Sequence, residues 1–136
     1  MSRWQELAVH LAEVNEVGEG TRVSVFATTS SVLDAVDAFV EEVYRRGGMP
    51  QVLLVEEKYD RFALEHASAS LLREAAPLEL ASMEWADVHV SFRGMEPPAD
   101  EIDGARLSLQ REGKGLVSTA RWQGTRWTLV RIPTPE

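Results

Sequence analysis

Residues 22–57, RVSVFATTSSVLDAVDAFVEEVYRRGGMPQVLLVEE, constrain the fold more than any other part of the sequence. In RVSVFATT (22–29), Val23, Val25 and Ala27 alternate along one face of a segment rich in β-branched residues, which predicts a strand over 22–28. SSVLDAVDAFVEEVYRRGG then carries Val32, Val36, Phe39, Val40 and Val43 as an apolar stripe at helical spacing, which predicts a helix over 31–46. Ser30 or Ser31 is placed to cap it, because a serine oxygen accepts one of the N–H groups left free at a helix start. Asp34 and Asp37 lie toward the positive end of its dipole and Arg45 and Arg46 toward the negative end. Glu41–Arg45 and Glu42–Arg46 are i, i+4 pairs in the favoured order, and Gly47-Gly48 supplies the stop. QVLLVEE (51–57) holds four consecutive apolar residues, which predicts a strand over 51–56 covered on both faces. A helix between two strands makes a βαβ unit, with parallel strands and a right-handed crossover.

The rest of the chain continues this alternation. Trp4, Leu7, Leu11 and Val14 form a helical stripe within residues 3–14. Residues 59–86 read as helix in two or three pieces, broken near Pro77. DVHVSFRG (87–94) is a third strand, with Val88, Val90 and Phe92 on one face and His89, Ser91 and Arg93 on the other. MEPPADEID (95–103) is an acidic, proline-rich loop. A helix is expected within 101–112, with Ile102, Ala105 and Leu109 as its inner stripe, before Gly113, Gly115 and Gly124 interrupt the pattern. TRWTLVRI (125–132) is a fourth strand. The expected architecture is one α/β domain over residues 1–132, three layers thick, with a mostly parallel sheet of about four strands flanked by helices. A length of 136 residues is ordinary for one domain.

Charge and composition exclude several function classes. The net charge is −8, from 22 acidic and 14 basic residues, so the chain as a whole has no electrostatic reason to seek nucleic acid or anionic lipid. There is no cysteine, which removes disulfides, thiolate nucleophiles and Cys-ligated zinc and fits a reducing, cytoplasmic setting. The opening MSRWQELAVHLAEVNEVGEG has no apolar core of the kind a signal peptide needs, and no apolar run is long enough to suggest a membrane span.

The motif search finds no assembled chemistry. In an open parallel sheet, ligands sit beyond the strand C-termini. That rim would hold Thr28, Thr29, Ser30 and Ser31 after the first strand, Glu56, Glu57 and Lys58 after the second, and Arg93 and Gly94 after the third. ATTSS occupies the place of a phosphate loop but lacks its glycines and lysine. His10, His66 and His89 fall on three separate elements, without the spacing of a metal motif. No serine lies in a nucleophile elbow. Trp4, Trp85 and Trp127 are expected in the core, and the place of Trp122 is open. From the residues alone, no catalytic, cofactor-binding or metal-binding residue is assigned.

Several segments, in order, carry a resemblance. LAVHLAEVNEVGEGTRVSVFAT, VDAFVEEVYRRGGMPQVLLV, ASMEWADVHVSFRG and RWTLVRIPTP together resemble the N-terminal domain of the thermophilic metalloaminopeptidases of peptidase family M29, the group that includes aminopeptidases T and S. The likeness runs over residues 5–135 and is weakest over 100–120. It implies enzymes of two domains, dimeric, that remove N-terminal amino acids from peptides using two divalent metal ions. Their metal ligands lie in a C-terminal catalytic domain that has no counterpart in this sequence, so the resemblance transfers no catalytic or metal residue to any position here. It implies that residues 133–136, PTPE, begin an inter-domain linker. The partners it implies are the missing catalytic domain, peptide substrates of the full-length enzyme and a second copy of the chain. The alternative from the residues themselves is a stand-alone α/β module that binds a small ligand or a protein partner.

Overall fold

A computed structural model describes residues 1–95 and 104–133. Four strands, β1 (Arg22–Ala27), β2 (Met49–Leu54), β3 (Val88–Gly94) and β4 (Arg126–Ile132), form one sheet in the order β2-β1-β3-β4. Every neighbouring pair is parallel. Helix α1 (Arg3–Val14) leads into β1, and a single 3-10 turn (Ser30–Val32) with α2 (Leu33–Arg45) joins β1 to β2. Helices α3 (Glu57–His66), α4 (Ala69–Arg73) and α5 (Pro77–Trp85) join β2 to β3, and α6 (Gly104–Gly124) leads into β4.

The strand order dictates the layers. The step from β1 to β2 runs one way across the sheet, while the steps to β3 and β4 run the other way. Right-handed crossovers then put α2 on one face and α3–α6 on the opposite face. The packing follows this division. On the first face, Val23, Val25, Ala27, Val88, Val90 and Phe92 pack with Leu11 and Ala12 of α1 and Val36, Phe39 and Val43 of α2. The rings of Phe39 and Phe92 meet at a centroid distance of 5.7 Å. The second face has a much smaller apolar centre of Phe26, Met83 and Val117. There α6 is tied down mainly by polar contacts: Arg106 donates to the Leu64 carbonyl at 2.6 Å, Gln110 to the Asp60 carbonyl at 2.9 Å, and Lys114 pairs with Asp60 at 2.9 Å.

Helix α1 starts with a capping box, in which Ser2 accepts from the Gln5 N–H and the Gln5 side chain accepts from the Ser2 N–H. At its other end Asn15, 4% exposed, donates to the Leu11 carbonyl at 2.9 Å and to Thr128 Oγ1 of β4 at 3.1 Å. That side chain ties the helix end to the far edge of the sheet. Asn15→Ala strands buried partners and is expected to cost about 1–2 kcal/mol, read as a lower midpoint in urea with an unchanged slope.

The single α/β domain with a parallel four-stranded sheet stands as expected from the sequence. Four local expectations need correction. QVLLVEE is not covered on both faces: β2 is an edge strand, and Val52 and Leu54, on the face of Val25 and Ala27, stay 43% and 46% exposed. Neither Ser30 nor Ser31 caps α2, because a 3-10 turn intervenes and the position before α2 is Val32, with no side-chain cap. The glycines after residue 112 do not end the helix: α6 runs through Gly113 and Gly115, and its buried face is Gln110, Gly113 and Val117 rather than Ala105 and Leu109. Trp127 is 41% exposed on the outer strand β4 instead of in the core, Trp122 is 68% exposed, and Trp4 and Trp85 are half-buried. Most of the expected acidic loop, Ile102 and residues 134–136 of the expected linker lie outside the described residues.

Candidate functional site

Parallel register lines up the second face of the sheet in rows. Ser24, His89 and Trp127 form one row and Phe26, Ser91 and Leu129 the next. Arg93 and Arg131 form a third, at the C-terminal rim. Sequence alternation alone exposed the polar sequence His89, Ser91, Arg93; burial makes it unusual. His89 is 0% and Ser91 1% exposed, because α5 and α6 cover the middle of this face.

His89 heads a chain of hydrogen bonds. Ser82 donates to the Glu79 carbonyl at 2.8 Å, and Ser24 donates its hydroxyl proton to Ser82 at 3.3 Å. The Ser24 oxygen can then only accept from His89 Nδ1, 3.1 Å away, so the proton of the imidazole sits on Nδ1. Burial, with the charges of Arg121 and Arg93 nearby, depresses the imidazole to about 3, so the ring is neutral and Nε2 is a bare acceptor. Nε2 is buried and has no partner among the described residues. The ring also meets Phe26 edge-on at 4.5 Å.

Toward the rim the face turns cationic. Ser91 Oγ, Arg93 Nε and Arg121 Nε are all buried without a hydrogen-bond partner among the described residues. Arg121 comes from the last turns of α6, and its guanidinium lies 5.1 Å from the centre of the Trp127 ring. Burial lowers Arg93, with the Arg131 charge adding to the shift and Glu57 opposing it. Burial also lowers Arg121, with Arg93 adding to it.

A separate groove of about 230 Å³ lies among α3, α4, α5 and α6, lined by Leu72, Val117, Gln110, Asp60, Lys114 and Glu79. Burial raises the Glu79 carboxyl, the Lys114 charge opposes that, and Asp60 adds to it. The groove holds an ion pair and one half-buried acid; its lining contains no serine, threonine or histidine.

The residues expected at the rim separate. Thr28 and Thr29 are buried, and Thr28 donates to the Phe92 carbonyl through both its N–H, at 3.1 Å, and its hydroxyl, at 3.4 Å. Those bonds close the crevice between β1 and β3, where the strand order reverses. Ser30 and Ser31 point outward, Glu56 is buried, and Glu57 and Lys58 are exposed at the start of α3. His10 on α1 and His66 on α3 are exposed, whereas His89 on β3 is buried. Among the described residues no three His, Asp or Glu side chains could hold a metal ion, so they do not fit the paired divalent ions of the resembled family. The sequence carries no sign that Arg131 and Arg121 lie near Arg93, since only register brings Arg131 beside it and only the path of α6 brings Arg121 there.

No protein-family model matches the chain, and no curated protein matches it. Among solved structures it is similar to wild-type AmpT from Thermus thermophilus, with a TM-score of 0.74 and 18% sequence identity. The match covers 96% of this chain and 36% of that one. At that identity the likeness is one of fold. The chain spans about a third of the length of that neighbour.

Proposed function

We propose that this chain is a non-catalytic domain of the kind that opens the M29 metalloaminopeptidases, and that it shapes or gates access to a catalytic domain carried elsewhere. The observation that supports this reading most is the coverage, nearly all of this chain against about a third of AmpT. The ordered sequence pieces resembling the opening domain of the family that includes aminopeptidase T point the same way. In this reading the two divalent ions, the ligand set and the peptidase activity belong to the catalytic domain. This domain contributes a rigid sheet and its helical cover, in a cytoplasmic enzyme that pairs as a dimer. Among the described residues no helix is long and apolar enough to cross a membrane.

The test uses the purified chain of 136 residues. After dialysis against zinc or cobalt, metal bound per chain and release of amino acids from unblocked peptides are measured. The expected result is less than one tightly held ion per chain and no release. Metal-dependent release that tracks bound metal would overturn the non-catalytic reading.

A further inference from the structure

We infer that the C-terminal rim of β3 and β4 is a binding site for a small oxyanion, a carboxylate or a phosphate group, held by Arg93, Arg131 and Arg121. Arg93 and Arg131 are direct partners in the parallel register, so their side chains leave the same face on adjacent strands. Like charges placed opposite one another in a sheet repel and destabilise it. Arg121 adds a third cation from α6, fixed against Trp127.

The acidic side chains of the described residues do not neutralise this cluster. Among the described residues no carboxylate lies within 4.0 Å of any of the three guanidiniums, although Arg22, Arg45, Arg46, Arg73 and Lys114 all have one. Glu57 is exposed and makes no ion pair with Arg93. Among the described residues, two of the three arginines bury an Nε–H with no acceptor, and the Ser91 hydroxyl, one row further in, is a third buried group without a partner. Unpaired buried donors are costly, and those on a charged group more so. An oxyanion supplies what each lacks: negative charge and several acceptor lone pairs in guanidinium geometry. Arg131 is exposed and Arg93 half-buried, so the rim is open to solvent while its inner wall is dry. His89 is neutral and adds no charge. This inference does not depend on whether a catalytic domain is attached.

Titration calorimetry and thermal shift at constant ionic strength test it. The probes are inorganic phosphate, N-acetyl-alanyl-alanine with a free carboxylate, and the C-terminal amide of that peptide. Saturable binding of phosphate or of the free acid, without binding of the amide, is expected, and which of the two binds identifies the source of the anion. Arg93→Gln and Arg131→Gln should weaken it about tenfold or more, while Arg45→Gln, on α2 in the opposite layer, leaves it unchanged. Arg131→Gln should melt no lower than wild type without ligand, since it relieves repulsion, so loss of binding there is not loss of fold. The inference is overturned if neither anion saturates, if the amide binds as well as the acid, or if all three substitutions weaken binding alike.

Discussion

Acidification from pH 6.5 to about 3 is expected to remove roughly 5 kcal/mol of folding stability through His89 alone. The folded state keeps this imidazole neutral down to about 3, while the unfolded chain takes up a proton near 6.5. Between those values the unfolded state binds more protons, so stability falls as pH falls, by about 1.4 kcal/mol per pH unit. Below the lower value both states are protonated and the loss is complete. The cause is physical enclosure: α5 and α6 exclude water from the ring, Arg121 on α6 and Arg93 on the same strand repel a further cation, and among the described residues an N–H formed at Nε2 would have no acceptor to donate to. Glu79, raised by burial, works in the opposite direction over its own narrower range, because acid favours its folded form. Urea unfolding of wild type and His89→Asn across this range separates the two. The asparagine keeps a donor for Ser24 and cannot titrate, so it should be less stable at neutral pH and show a much flatter slope in acid. Parallel slopes in the two proteins would rule out His89 as the source.

Replacing Gly113 by alanine should destabilise the protein by about 2–3 kcal/mol, against the usual rule for helix interiors, where alanine is better than glycine by about 1 kcal/mol. A Cβ at Gly113 would stand 2.2 Å from the Glu74 carbonyl oxygen, 2.9 Å from its carbon and 3.1 Å from the Leu72 oxygen. All three are backbone atoms at the end of α4, so no side chain can rotate away. Helix α6 is held close by Arg106, Gln110 and Lys114 on either side of that contact, so relief would require shifting it and losing those partners. Gly115, two residues on, faces open space. Gly115→Ala should therefore follow the helix rule and stabilise by about 0.5–1 kcal/mol. Thermal melts of the two variants should move in opposite directions. A neutral Gly113→Ala would mean that α6 does not approach α4 so closely.

These two glycines show where sequence reading stops. Both interrupt an apolar pattern, and local propensity treats them alike as breakers. Only the approach of another element separates them, and that is a tertiary fact. The βαβ unit was legible because Val23, Val25, Ala27 and the Val36–Phe39–Val43 stripe carry their periods within one segment. The edge position of β2 was not, because four apolar residues in a row look the same whether a neighbouring strand lies beyond them or solvent does. The exposure of Trp127 was hidden for the same reason: alternation places it on a face, but only the strand order makes β4 an edge strand.

The site was legible to a similar degree. His89, Ser91 and Arg93 could be read as one face of a strand, and Arg93 as a rim residue. Their burial could not be read, nor could the meeting of Arg93 with Arg131, which depends on register, or with Arg121, which depends on twenty-one residues of helix crossing the sheet. The serine-rich loop sits at the usual ligand position of such a sheet. In the fold its buried Thr28 bonds across to β3, and among the described residues the buried polar groups left without partners lie on β3 and α6 instead.

The proposal that this domain serves a longer aminopeptidase is tested most directly by the intact mass of the native protein from its own cells. The account predicts a species well above 15.2 kDa, long enough for a catalytic domain of the size that AmpT's remaining length implies. A native species at 15.2 kDa would contradict it, leaving a stand-alone α/β module with the fold but not the enzyme.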